Sequence, residues 1–135
     1  MTAVRAFALA NFILQIALVA ALVYASFLPS KSNLKRHCAV MRIVVPVQLV
    51  AVLGVMGPSL IGYANSQALV PWFYTEMVIH ALFGLTIVGI WVFVNLAQMG
   101  VIKFQGRLQG IMRTAFFLWL ASFAIGVHIY AKIWL

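Results

Sequence analysis

Four long apolar stretches alternate with short polar ones along this chain, covering residues 6–28, 40–63, 71–97 and 113–133. Each reaches the roughly 20 mainly apolar residues that a helix needs to cross a bilayer's hydrocarbon core. The first is longer than the ~7–15-residue core of a secretory signal, so it reads as a span. The connections are short and no internal repeat is visible. Sequential helices joined this way run antiparallel. The pattern predicts an all-α fold, an integral membrane four-helix up-and-down bundle forming a single transmembrane domain.

Proline and glycine refine that picture. Pro46 and Pro58 fall inside the second span, where each removes a backbone donor and predicts a bend. Pro71 opens the third span, a position where a missing N–H is harmless. Gly54, Gly57, Gly84 and Gly89 predict close helix contact.

Composition excludes a soluble domain. Of 135 residues, 66% are hydrophobic and 7% charged, against about a quarter charged in ordinary globular proteins. The net charge of +8 does not point to nucleic acid, because the bases sit beside apolar runs, where they contact anionic lipid headgroups and set topology. Lys31, Lys35, Arg36 and Arg42 flank one connection, and Lys103, Arg107 and Arg113 flank another. The opposite side has only Arg5 and Lys132. The positive-inside rule predicts both termini outside a cell (plasma) membrane. Trp72, Phe73, Tyr74, Tyr130 and Trp134 then form an outer aromatic belt. Cys38, the single cysteine, makes no internal disulfide.

Glu76 is the only Asp or Glu in the sequence. It lies one helical turn before His80, so both project from one face. At about 1.5 Å per residue, Glu76 is roughly 7 Å below the outer edge, His80 roughly 13 Å and His128 roughly 6 Å. Asn11 and Gln15, again one turn apart, lie at roughly 9 and 15 Å. Ionisable groups at such depth face a protein interior, a cavity or a metal. Three roles fit the cluster. The polar groups could hydrogen-bond neighbouring helices. Glu76, His80 and His128 could hold copper or haem b, with Asn11 and Gln15 in support. The same residues could relay protons. His37 and Met41 share a helical face that would suit Cu(I), although a histidine at headgroup level is ordinarily just solvated. No nucleophile–base pair, phosphate loop or zinc motif is present, and no catalytic activity of the chain's own is expected.

The stretch Leu34-Lys35-Arg36-His37, followed by Met41, resembles the opening of a small four-helix membrane family of unknown function (domain of unknown function 420). The third span with His80 is similar to that family's histidine-bearing helix. The ending from Trp119-Leu120 through Gly126-Val127 to Tyr130 resembles its closing helix. The likeness covers residues 31–135. It carries over His37 and His80. Where the family has further histidines this chain has Tyr63 and Arg107, and His128 stands where the family has none. Members are often found with haem–copper cytochrome oxidases, and some are implicated in their maturation. The resemblance therefore implies a link to copper or haem enzymes in respiratory membranes. With no soluble domain and no catalytic constellation in the sequence, the expected role is a small accessory subunit of a larger membrane oxidoreductase, of the respiratory oxidase or copper-dependent monooxygenase type, with other integral membrane subunits and lipids as partners. A haem b- or copper-binding electron-transfer protein and an oxidase assembly factor are the alternatives.

Overall fold

A computed structural model describes residues 2–27, 34–65 and 71–135. Lys31 and the 66–70 connection lie outside them. The elements are α1 (Ala3–Ser26), α2 (Leu34–Ala51), a π-turn (Val52–Met56), α3 (Gly57–Asn65), α4 (Pro71–Gln98) and α5 (Leu108–Trp134), with no strand among the described residues. The fold class is all-α. Among the described residues, four segments are long and apolar enough to cross a membrane, of 24, 29, 28 and 27 residues, the second being Lys35–Tyr63 across the π-turn. The second helix starts at Leu34, six residues before the apolar run. Lys and Arg are good helix formers, and their long stems let the charge leave the apolar layer, so Lys35 and Arg36 extend the helix.

The ends follow local chemistry. The Thr2 hydroxyl accepts a hydrogen bond from the Arg5 amide at 3.4 Å, capping α1. Gly100 closes α4 with φ +76. There the Val101 amide reaches the Leu96 carbonyl at 3.0 Å, and the Gly100 amide reaches that of Ala97 at 3.2 Å. This double bond pattern requires a left-handed residue, which glycine adopts without penalty. Pro46 is accommodated within α2. Pro58 has no N–H to offer the Gly54 carbonyl. The helix widens just before it, and the Gly57 amide bonds to the Val52 carbonyl five residues back.

The helices fall into two compact units. The first comprises Met1–Gln67 and Tyr130–Leu135. Its buried positions on α1 are Gln15, Leu18, Leu22 and Ala25, and on α2 they include Val44, Gln48 and Ala51. Both sets alternate steps of three and four, the spacing of a knobs-into-holes seam. Register is fixed at one end by His37, which donates from Nδ1 to the Ala25 carbonyl at 2.7 Å. That bond also satisfies a carbonyl in the last turn of α1. Counted antiparallel from Ala25/His37 at this spacing, Leu22 aligns with Met41, Leu18 with Val44, Gln15 with Gln48 and Asn11 with Ala51. Phe12 stacks on Tyr130 with centroids 4.4 Å apart.

The second unit comprises Ala68–Ile129. The α4 seam runs Phe73, Met77, His80, Gly84, Ile87, Trp91, Val94, and the α5 seam runs Ala115, Trp119, Ser122, Gly126. Most of these are buried. Trp91 and Trp119 meet edge to face at 5.0 Å. Phe104 in the following connection packs edge-on against Phe93. In lipid such contacts stabilise through dispersion and shape, because the surrounding solvent is itself apolar.

Candidate functional site: a histidine–carboxylate clasp on α4 and α5

Several polar side chains in these helices bond within one turn. Thr75, Thr86 and Thr114 donate to the carbonyls of Pro71, Leu82 and Gly110. The Asn95 amide donates to the Trp91 carbonyl at 2.8 Å. This back-bonding is the cheapest way to carry a polar group in a membrane helix. Side chains that reach another helix are therefore the ones to explain.

In the second unit Glu76, His80, Ser122 and His128 do so. The His128 Nδ1–H donates to Glu76 Oε1, an ion pair when the imidazole is protonated. Both residues flank the seam, where coiled-coil helices place interhelical charge pairs. The His128 side chain is half exposed and that of Glu76 is 19% exposed. The chain's one carboxylate thus meets an imidazole on the opposing helix instead of facing hydrocarbon alone.

His80 takes a different partner because it occupies the seam itself. Its Nδ1 lies 2.9 Å from the Ser122 carbonyl and 3.1 Å from the Ser122 hydroxyl oxygen. A carbonyl only accepts, so Nδ1 carries the proton, and in the neutral ring Nε2 keeps its lone pair. The local sequence makes this possible. A helical carbonyl is already engaged by the amide four residues on and is shielded by that residue's side chain. Four residues beyond Ser122 stands Gly126, which has none. A Cβ at Gly126 would sit 3.2 Å from His80 Cε1. Gly126 therefore opens the Ser122 carbonyl and seats the ring.

The sequence-predicted cluster divides accordingly. Glu76 and His128 come together. His80 sits one turn along α4 with Ser122, a residue that its type alone did not single out. The seam spacing Ala115–Trp119–Ser122–Gly126 is the signal that finds it. Asn11 and Gln15 belong to the first unit. His37 is engaged with the end of α1, and Met41 follows it along the α2 seam. Among the described residues, no three His, Cys, Asp or Glu side chains gather as a metal-binding group. Chemically, the arrangement fixes the register of two helices and presents one seam imidazole with its Nδ1 committed. No protein-family model, no curated protein and no solved structure matches this chain.

Proposed function

We propose that this chain is a small accessory subunit of a larger membrane-bound complex, acting as a helical scaffold without catalysis of its own. The observation that carries this reading is the use made of its few polar groups. Glu76, His128, His80 and Ser122 are spent on cross-links between α4 and α5. Such links specify one register of a helix pair. Meanwhile Leu82, Leu85, Val92 and Phe117 are exposed on the same helices, surface available to a membrane chain or to lipid. The family resemblance at His37 and His80 supports a parent complex among copper or haem membrane oxidoreductases. The distribution of bases supports a plasma-membrane orientation with both termini outside.

The test is purification of the tagged chain from its own membranes in mild detergent. Stoichiometric recovery of a metal- or haem-containing complex is expected. Native mass spectrometry that finds only the free monomer would remove the proposal.

A second reading draws on the tautomer of His80. An imidazole whose Nδ1–H is held by a carbonyl has its Nε2 oriented as a ligand. Further ligands for copper or haem b would come from a partner chain. Metal analysis and an optical spectrum of the intact complex, with and without His80→Ala, test it: unchanged content and bands would exclude the role.

A further inference from the structure

The start of α2 carries three metal-ligating side chains that the clasp does not use: the His37 imidazole, the Cys38 thiol and the Met41 thioether. At one turn per 3.6 residues, Met41 lies about 40° from His37 and about 60° from Cys38 around the helix, between the two. Side chains on a helix lean toward its N-terminus, over the residues three and four before them. Met41 therefore reaches back over both Cys38 and His37. The His37 ring is already oriented. Its Nδ1 donates to the Ala25 carbonyl at 2.7 Å, so in the neutral ring Nε2 keeps its lone pair. That Nε2 has no partner among the described residues. A backbone carbonyl on the other ring nitrogen is the usual support of a metal-ligating histidine. Cys38 is a free, exposed thiol, and His37 and Met41 are half-buried beside it.

We propose that His37 Nε2, Cys38 Sγ and Met41 Sδ bind one Cu(I) ion. Zinc takes cysteine, histidine and carboxylate ligands, usually four of them, whereas a thioether suits Cu(I). Charge favours the same ion. Lys35, Arg36 and Arg42 are exposed around the site, and the chain's one carboxylate, Glu76, belongs to the other unit. Binding displaces the Cys38 proton to water. A monovalent ion thus leaves the local charge unchanged, while a divalent ion would add a charge that the three bases resist. The site is separate from the His80 reading above and does not depend on the accessory-subunit role.

The test is anaerobic titration of the purified full chain in mild detergent with Cu(I) held by bicinchoninate. The chain should withdraw one equivalent of copper, and X-ray absorption should show one nitrogen and two sulfur neighbours. Cys38→Ser, the volume-conserving Met41→Leu, and His37→Gln, which keeps a donor for the Ala25 carbonyl, remove one ligand each. Loss of a supporting partner already costs about 10–100-fold in metal affinity, so each variant should weaken Cu(I) binding by about tenfold or more. His80→Ala should leave it unchanged. Copper that stays with the chelator overturns the proposal. So does an absorption spectrum without sulfur, an affinity unchanged in any one of the three variants, or binding lost in His80→Ala.

Discussion

His80 rests against Gly126, and the absence of a side chain there is what lets its imidazole donate to the Ser122 carbonyl. The sequence separates these residues by more than forty positions. Their relationship is one of complementary size at opposing seam positions, with a hydrogen bond added.

Gly126→Ala tests that relationship. The new methyl would press on His80 Cε1, so the ring must shift off the Ser122 carbonyl. Overpacking of this kind costs about 1–3 kcal/mol. The expected result is a lower unfolding midpoint in detergent together with a change in the His80 ring nitrogen shifts. Gly84→Ala, where a Cβ meets nothing, is the control and should leave both unchanged.

Glu76 and His128 should be energetically coupled. Interhelical polar pairs in membranes average about 0.6 kcal/mol and reach about 1.7. A double-mutant cycle with Glu76→Gln and His128→Gln should return a coupling within that range. Zero coupling would mean that the two side chains act separately. Glu76→Gln that assembles normally but abolishes turnover of a parent enzyme would assign the carboxylate to proton transfer instead of the clasp.

Gly100 stands at the left-handed position that closes α4. Gly100→Ala should destabilise by about 1–3 kcal/mol, the usual cost of a side chain held in a sparsely populated backbone region. Gly100→Asn should cost less, since asparagine tolerates that conformation better. Thermal melts of the two variants decide the order.

Cys38 is exposed near the start of α2 and serves as its own topology probe. A membrane-impermeant maleimide should label it only from the inner face. A cysteine introduced at Leu135 should label from the outer face. The opposite pattern would reverse the proposed orientation.

The spans were legible because unbroken apolar runs of bilayer length have few other uses. The helix of the second span begins at Leu34, before the apolar run itself. Lys35 and Arg36 are charged at the tip and apolar along the stem, so they can end an apolar run without ending a helix. In the site, helical spacing put Glu76 and His80 on one face. It did not separate the seam position of His80 from the flanking position of Glu76, and that difference sends them to different partners. Gln48 was missed because a single amide in an apolar run carries no pattern of its own. Its burial comes from the pairing of α1 with α2.

The widened turn at Val52–Met56 has one more consequence. A turn that takes in an additional residue re-phases everything after it by about 100°, one residue's rotation. The face that α2 turns toward α1 is therefore not the face that α3 would present by simple continuation. A single-residue deletion within 52–56 would rotate α3 back into phase with α2, at the cost of aligning Pro58 differently with its neighbours. The second span thus reads as two half-helices with independent azimuths, whose relative rotation is encoded by one residue.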